Sequence, residues 1–553
     1  MDKIRTVRLF RPLPWKEGCI FVGAVLLFVP FLGLVHLFDW DEVNFAEASR
    51  EMLATGNYSI PQINYQPFWE KPPLFFWLQV LSMKVFGINE FAARFPNAVC
   101  GIITLLLVYR IGKKLVDEQF GWMWALVFAA SFLPQFYFKS GIIDPWFNLF
   151  IFLSVYYLLL YYGPGQTHFK WRLGLSGLFA GLAMMTKGPV ALLVIALCYL
   201  TYLVISRFRN RPRPLDLVWF ILPALVVGSL WFLALYLNGQ QQVIYEFFAY
   251  QVRLFSTGES GHGGPIYYHL PVLLFGCFPA AALAIPAMRK PGQGERLPAY
   301  FHQWMLILFW VVLLLFSIVR TKIIHYSSLC YFPLTYLGAV GWYRIANGKT
   351  RLTSFTRWLQ VFTGLLFSVL FLAAALMAHW KDWFLKHVTI EDEFAKASLD
   401  AVSGDRMLEL IPGLLLLAGV VPFLVYSKRK PAKACLFLLV ASLLSFNLCI
   451  LFITPKVERY SQGAAIEFYQ SKQHEAALME TLDFKSYAQF FYGRRPPRLG
   501  NQVADSILRF NAYSEVPVYF VGKIQNREKN LQENKQLQLL YTKNGFVFFY
   551  WRR

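Results

Sequence analysis

Long apolar segments alternate with short polar links over the first 455 residues of the chain. A segment of roughly 20 apolar residues has the length that a helix needs to cross a bilayer. The pattern predicts an α-helical polytopic membrane protein with about thirteen transmembrane helices. The predicted spans lie near residues 18–38, 92–109, 120–138, 143–162, 173–185, 190–206, 217–237, 268–288, 303–318, 325–342, 358–377, 407–426 and 434–454.

The charges in the polar links predict the orientation of the chain. Lys and Arg exceed Asp and Glu by 53 to 32, a net charge of +21. Basic clusters occur in every second link, on the side of the N-terminus, as is typical of cytoplasmic loops. An odd number of spans then places the N-terminus in the cytoplasm and residues 456–553 outside. Clusters beside a membrane suit anionic lipid headgroups and argue against a nucleic-acid partner.

Three regions are predicted to lie on the outer side. Residues 38–91 form an external loop with two short apolar segments, interpreted as interfacial helices. Residues 238–267 contain a glycine-rich stretch that predicts a mobile loop over a site. Residues 456–553 are polar and mix strand-like with helix-like runs, which predicts a small soluble α/β domain beside a transmembrane domain of residues 1–455.

Ionisable residues gather on this predicted outer side. Asp41 and Glu42 directly follow the first span, and Asp144 opens the fourth. Charged groups at a membrane indicate a functional site, and we take these three acids as candidate catalytic residues. Solvated loop carboxylates or helix caps would look the same in sequence. Basic residues, which are uncommon on the outer side of a membrane protein, lie near these acids. They suggest a bound lipid phosphate, and contact with lipid headgroups is the alternative interpretation. They are Lys71, Lys187, Arg253, Arg320 and Lys322.

A metal site is a further hypothesis. Glu70 and His262 could meet at a divalent ion, although a lone histidine is more often an ordinary loop residue. The seven cysteines lie in or beside apolar segments without metal-like spacing, so we expect buried thiols and no disulfide.

Four motifs together resemble a known family. Asp41-Glu42 is followed by Phe-Ala-Glu-x-x-Arg-Glu-Met at 45–52, and Glu-Lys-Pro-Pro stands at 70–73. Thr-Lys-Gly-Pro stands at 186–189, and Arg-Thr-Lys at 320–322 precedes His-Tyr and an aromatic-proline span. This set resembles the family 39 type of GT-C glycosyltransferases, which includes protein O-mannosyltransferase-like enzymes and lipid A aminoarabinose transferases. The first motif is most similar to the aminoarabinose transferase branch.

The resemblance implies a fold, a reaction and partners. We expect a GT-C helical bundle in a bacterial inner membrane that moves a sugar from a polyprenyl (undecaprenyl) phosphate donor to an acceptor at the periplasmic face. The acceptor would be lipid A phosphate, a protein hydroxyl or another cell-surface glycan. Neither a nucleotide sugar nor an obligatory metal is expected.

The resemblance also implies roles for individual residues. Lys71 would hold the donor phosphate, with help from Arg253, Lys322 and Tyr331 through electrostatic stabilisation. Asp41 would be the general base for a hydroxyl acceptor, or would orient a phosphate acceptor or the sugar. A single displacement would invert the anomeric carbon.

Two other functional classes remain open from the residues alone. A lipid or solute transporter would typically show inverted repeats and ionisable groups at the bilayer midplane, whereas the sequence shows no evident repeat. A structural assembly factor would leave the cluster of acids and cations without a role. The sequence identifies neither the sugar nor the acceptor nor the oligomeric state.

Overall fold

The computed structural model describes residues 15–164, 168–256, 263–292, 295–401, 407–500 and 516–551, and helices dominate it. The first helices are α1 (Trp15–Phe28), α2 (Asp41–Thr55), α3 (Leu74–Phe86), α4 (Glu90–Leu115), α5 (Glu118–Ala129), α6 (Phe132–Tyr137), α7 (Asp144–Tyr162), α8 (Lys170–Lys187), α9 (Val190–Ile205), α10 (Pro214–Leu237) and α11 (Gln241–Ser256). The later ones are α12 (His269–Gly276), α13 (Ala280–Ala287), α14 (Ala299–Ile318), α15 (Tyr331–Ala346), α16 (Ser354–Ala375), α17 (Met377–His387), α18 (Glu393–Ser398), α19 (Ile411–Tyr426), α20 (Pro431–Phe452), α21 (Thr454–Glu458), α22 (Ala464–Lys472), α23 (Ala488–Gly493) and α24 (Arg527–Glu533).

The membrane-spanning pattern is present, and the number of crossings stays a prediction. Among the described residues, seven helices are long and apolar enough to cross a bilayer. The number is eight if α12 and α13, which are bent by 111° relative to each other, form one span. The chain is therefore a multi-pass membrane protein.

The predicted span at 18–38 is wrong in its length. Helix α1 ends at Phe28, and the chain turns at 29–34. Pro30 explains the early end, because a proline disfavours helical geometry in the residue before it. The predicted span at 120–138 is likewise split, because α5 ends at Ala129 and α6 begins at Phe132.

Two helices form the centre of the bundle. Helix α15 is buried at every position from Tyr331 to Ile345, and α7 is buried along almost its whole length. Helix α7 packs on α8, and α8 packs on α10. A Cβ atom at Gly177 would lie 2.1 Å from the Phe220 carbonyl oxygen, so this approach of α8 to α10 requires glycine. Helix α10 turns most of its apolar side chains outward, as expected of a surface that faces lipid.

The two short helices predicted in 38–91 are α2 and α3, joined by a small hairpin of β1 (Gln62–Ile63) and β2 (Gln66–Pro67). Helix α2 is buried from Glu42 to Met52. It therefore lies within protein, between α3 and α23, rather than open at an interface.

The C-terminal unit contains both strands and short helices. Its strands are β3 (Leu478–Thr481), β4 (Val518–Lys523), β5 (Leu537–Lys543) and β6 (Phe546–Trp551), in the order β3-β4-β6-β5. Strand β3 is parallel to β4, and the other pairs are antiparallel. Helix α22 covers the sheet through Phe468, whose ring centroid lies 4.6 Å from that of Phe548. The sequence also favours a helix at 502–510, a segment that lies outside the described residues.

A buried network of charges joins this unit to α2. Glu47 accepts two 2.6 Å hydrogen bonds from Arg50, whose guanidinium also donates to the Arg495 carbonyl at 3.3 Å. Arg495 in turn pairs with Glu480 at 2.5 Å. Glu51 lies 3.6 Å from Arg50, and its pKa is raised to about 9 by burial and by the neighbouring Glu47. We call these five residues the buried network.

Candidate functional site

A cavity of about 310 Å³ lies where the N-termini of α2 and α7 meet the C-terminus of α8. The segment before α3 and the loop before α15 complete most of its wall. Its lining is rich in polar side chains, and we call it the polar cavity. Its polar residues include Asp41, Asn44, Glu70, Lys71, Asp144, Lys187, Tyr250, Thr321, His325, Tyr326, Lys485 and Tyr487.

The acids and the histidine of the polar cavity form a chain of close contacts. Lys187 Nζ lies 2.6 Å from Asp144 Oδ1. His325 Nε2 lies 3.4 Å from Asp41 Oδ2 and 3.9 Å from Asp144 Oδ2. The Asp41 side chain is 42% exposed, whereas that of Asp144 is 4% exposed. Asp41 is therefore the carboxylate available to a substrate, while Asp144 is held by Lys187.

Helix ends place these charges. Asp41 and Asp144 stand in the first turns of α2 and α7, where the partial positive charge of a helix favours an anion. Lys187 is the last residue of α8, where the partial negative charge favours a cation.

Lys71 occupies a third side of the polar cavity. Its Nζ lies 3.8 Å from Glu70 Oε2 and 5.2 Å from the centroid of the Tyr250 ring. Tyr250 of α11 donates a 3.0 Å hydrogen bond to Glu70 Oε2. Burial lowers the pKa of Lys71, Glu70 opposes this effect, and Lys187 adds to it. An anion bound between the two lysines would remove their mutual repulsion.

A second, apolar pocket of about 70 Å³ adjoins the polar cavity. Lys71, Asp144 and Lys187 line both spaces, together with Tyr326. The rest of this apolar pocket is mostly hydrophobic. Its apolar lining is Phe147, Val190, Val194, Phe316, Val319 and Leu329. The arrangement suits an amphiphile with an anionic head and a hydrocarbon chain.

The predicted site residues divide into two groups. The structure brings Asp41, Glu70, Lys71, Asp144 and Lys187 together at the polar cavity. The others lie elsewhere or outside the described residues.

Glu42, predicted to be catalytic, has an architectural position. Its carboxylate accepts hydrogen bonds from Arg94 Nε at 3.0 Å and Nη2 at 2.8 Å, and from the backbone N–H groups of Phe38 and Gly141. Burial acts to raise the pKa of Glu42, but Arg94 and these hydrogen bonds hold it below its ordinary value. The side chain is 7% exposed and joins α2 to α4. The structure therefore places Glu42 in an ion pair outside the lining of the polar cavity, and its catalytic role stays a prediction.

Lys322, predicted to bind phosphate, instead donates to backbone carbonyls at the end of α14. Its Nζ lies 3.1 Å from the Phe316 oxygen and 2.6 Å from those of Ser317 and Val319. Burial lowers the pKa of Lys322. Cations commonly satisfy the last carbonyls of a helix in this way, which explains a lysine four residues after Ile318.

The remaining predicted residues surround the site. Arg320 is exposed in the loop before α15, and the Tyr331 ring packs on Tyr137 at 5.4 Å. Arg253 lies near the end of α11, 5.9 Å from the centroid of the Tyr250 ring. The predicted mobile loop 238–267 thus contains a helix, α11, in its first part.

The metal hypothesis rests on a residue that the structure does not describe. His262 lies outside the described residues, while Glu70 is contacted by Lys71 and Tyr250. Within the part of the chain that the structure describes, no three His, Cys, Asp or Glu side chains form a metal-binding group.

Sequence reasoning missed several lining residues. His325 and Tyr326 stand in the motif that follows Arg320, so their position was marked although their role was not. Lys485 and Tyr487 come from the C-terminal unit, where no motif distinguishes them.

Comparison with known proteins finds similarity to membrane transferases. The family model described as dolichyl-phosphate-mannose-protein mannosyltransferase matches residues 70–237. An undecaprenyl phosphate-alpha-4-amino-4-deoxy-L-arabinose arabinosyl transferase of Photorhabdus laumondii is 28% identical over 390 residues, which cover 67% of this chain and 69% of that protein. The protein of the same description from Pectobacterium carotovorum is 30% identical over 371 residues, covering 66% of this chain and 65% of its own.

Solved structures share the fold over nearly the whole chain. The crystal structure of ArnT from Cupriavidus metallidurans bound to undecaprenyl phosphate has a TM-score of 0.77 and 18% sequence identity, covering 97% of this chain and 98% of that one. Its apo state gives a TM-score of 0.76 with the same coverage. The likeness includes the C-terminal unit as well as the helical bundle.

Proposed function

We propose that this chain, a GT-C glycosyltransferase similar to the aminoarabinose transferases, moves a sugar from an undecaprenyl phosphate donor to an acceptor at the periplasmic face of a bacterial inner membrane. One observation carries the proposal. The polar cavity, with its carboxylates and lysines, shares Lys71, Asp144 and Lys187 as lining residues with the adjoining apolar pocket.

The donor is proposed to occupy both spaces. The first isoprene units enter the apolar pocket, and the phosphate lies between Lys71 and Lys187. Two ammonium groups next to a buried anion supply the charge that stabilises the transition state. The described similarity to transferases named for undecaprenyl phosphate supports this donor.

The acceptor is proposed to be lipid A, at one of its phosphate groups, and the sugar to be an amino-deoxy-arabinose. The names of the similar transferases support the sugar. A protein hydroxyl, as for an O-mannosyltransferase, or another surface glycan is the alternative acceptor.

The reaction is a single displacement at the anomeric carbon. An acceptor oxygen forms the new bond as the bond from that carbon to the donor phosphate breaks, and undecaprenyl phosphate leaves. A phosphate acceptor is already ionised, so no proton moves and Asp41 orients the sugar or the acceptor. A hydroxyl acceptor would give its proton to Asp41. Attack from the face opposite the leaving group inverts the carbon.

No cofactor is proposed to be required. The leaving group is a phosphate ester that is ionised at neutral pH, and Lys71 and Lys187 provide positive charge beside it. A divalent ion held by Glu70 and His262 remains the competing proposal.

The proposed topology follows the charges in the links. Thirteen spans place the N-terminus in the cytoplasm and the C-terminal unit in the periplasm, next to the polar cavity. Membrane lipids then cover the outward apolar faces of helices such as α10.

The experiment is reconstitution in nanodiscs with synthetic undecaprenyl-phosphate-aminoarabinose and lipid A, followed by mass spectrometry of lipid A. We expect one pentosyl addition per modified phosphate, with equal yield in EDTA. Dephosphorylated lipid A and a Ser/Thr peptide test the alternative acceptors. Absence of transfer to all three, or solute transport that is independent of the sugar donor, would overturn the proposal.

A further inference from the structure

The C-terminal unit borders the polar cavity through one short loop. This loop lies between β3 and α23, and its residues Lys485 and Tyr487 line the cavity together with Trp40, Asp41 and Asn44. A domain that only stabilised the bundle would not need to place side chains there.

The loop is fixed in place by Asp39 and Trp40. Asp39 Oδ1 accepts hydrogen bonds from the backbone N–H groups of Tyr487 at 3.2 Å and Trp40 at 2.9 Å. The rings of Trp40 and Tyr487 meet edge to face with centroids 6.2 Å apart. Lys485 Nζ lies 5.4 Å and 5.5 Å from these two centroids, a distance at which a cation is attracted to an aromatic face.

The backbone of Trp40 is unusual at this point. It has a φ of 73° and a ψ of −120°, in a region that a bulky residue rarely adopts. Such conformations persist where surrounding contacts impose them, often at functional sites. Trp40 directly precedes Asp41, so the loop of the C-terminal unit and the exposed carboxylate are linked through one strained residue.

The charges distinguish Lys485 from the other lysines of the polar cavity. Lys187 pairs with Asp144, and Lys71 lies near Glu70. Lys485 is exposed and has no carboxylate within 4 Å among the described residues. Unlike Lys71 and Lys187, it does not line the apolar pocket. Among the described residues it is therefore a cation without a counter-ion, and of the two spaces it lines only the polar cavity.

Building on the proposed function, we propose that Lys485, seated between Trp40 and Tyr487, binds the phosphate group of the acceptor. The lysine draws a phosphate monoester to the mouth of the cavity beside Asp41, while Lys71 and Lys187 hold the donor phosphate. The C-terminal unit thus supplies part of the acceptor site.

The test measures KM for lipid A and KM for the donor separately, in nanodiscs, for the wild type, Lys485→Ala and Lys485→Arg. Lys523→Ala is the matched control, because Lys523 belongs to the same unit and also lies over two rings, those of Phe394 and Phe484, without lining the polar cavity. We expect Lys485→Ala to raise KM for lipid A by about tenfold or more, because the variant loses a hydrogen bond between charged groups. Lys485→Arg should recover part of this, and kcat and the donor KM should stay within about twofold.

Inorganic phosphate, used as an inhibitor, tests whether Lys485 recognises the phosphate group itself rather than another part of the lipid. It should inhibit the wild type competitively against lipid A and inhibit Lys485→Ala more weakly. An effect of Lys485→Ala on the donor KM, or an acceptor KM equal to that of the wild type and of Lys523→Ala, would overturn the inference while the proposed function stands. A wild-type protein that transfers nothing to lipid A would overturn the proposed function and this inference with it.

Discussion

Asp41 and Glu42 are neighbours on one helix and lie in opposite environments. Asp41 is 42% exposed in the polar cavity, 3.4 Å from His325, whereas Glu42 is 7% exposed and bound by Arg94 and two backbone N–H groups. One turn of helix α2 therefore carries the Asp41 carboxylate, which is open to a substrate, beside the Glu42 carboxylate, which stabilises the fold.

The same contrast separates the polar cavity from the buried network. In the buried network, Glu47 and Arg50 satisfy each other with paired hydrogen bonds, and Arg495 pairs with Glu480. In the polar cavity, Asp41 and Lys71 keep looser contacts of 3.4 Å or more. The pairs Glu47–Arg50 and Glu480–Arg495 hold the fold through short contacts. Asp41 and Lys71 make longer contacts and so keep capacity for a substrate.

The largest expected effect comes from removing Arg94. Its guanidinium binds Glu42 and also donates to the carbonyls of Leu32, Val35 and His36. Arg94→Ala leaves a buried carboxylate unpaired, which we expect to cost about 3–5 kcal/mol of stability. Thermal unfolding in detergent measures this. Arg429→Ala, an exposed arginine, is the control, and equal melting of both variants would contradict an architectural role.

Lys71→Ala should lower sugar transfer without lowering stability, the reverse of what we expect for Arg94→Ala. Transfer should fall by about 10²–10³-fold, as for the loss of one group that stabilises a transition state, while thermal stability stays equal or rises. Lys187→Ala is the informative comparison, because it also strands the buried carboxylate of Asp144 and should lower stability. Turnover and melting temperature are measured together. A Lys71→Ala protein with wild-type turnover would remove Lys71 from the donor site.

These contrasts explain what the sequence could and could not predict. The multi-pass pattern and the gathering of Asp41, Lys71, Asp144 and Lys187 follow from hydropathy, loop charge and motifs. Adjacent acids cannot be told apart in this way, because the partner of Glu42, Arg94, is 52 residues away.

The positions of other predicted or observed site residues depend on tertiary packing or on a local signal at the end of a helix. Lys485 reaches the polar cavity only because the C-terminal unit packs on α2. No local sequence pattern predicts this packing. Lys322 carried a local signal, since it stands just beyond the end of a predicted span, where lysines commonly bind carbonyls.

Glu51 provides a test of the buried network through pH. Burial and Glu47 raise its pKa from 4.5 to about 9, so the folded protein keeps a proton that the unfolded chain releases. Stability should therefore fall as pH rises from about 4.5 to about 9, by no more than about 1.4 kcal/mol per pH unit. Glu51→Gln mimics the protonated acid and should lack this slope. Melting curves at pH 6 and pH 9 measure it, and parallel behaviour of both proteins would contradict the assignment.

The smallest effect is expected from Tyr250→Phe. It removes the 3.0 Å hydrogen bond to Glu70 and keeps the ring beside Lys71. A single hydrogen bond contributes about 1 kcal/mol, so KM for the donor should rise by only a few fold. Tyr236→Phe, on the exposed part of α10, is the control. A loss as large as that of Lys71→Ala would mean that Tyr250 acts directly on the reaction.

The most direct measurement compares Asp41→Asn with Glu42→Gln in the same nanodisc assay, with melting temperature and transfer per folded molecule recorded for each. We predict that Asp41→Asn melts like the wild type and transfers almost no sugar, whereas Glu42→Gln melts early and its folded fraction still transfers. Wild-type turnover by Asp41→Asn, or a fully stable but inactive Glu42→Gln, would contradict the assignment of chemistry to one acid and architecture to the other.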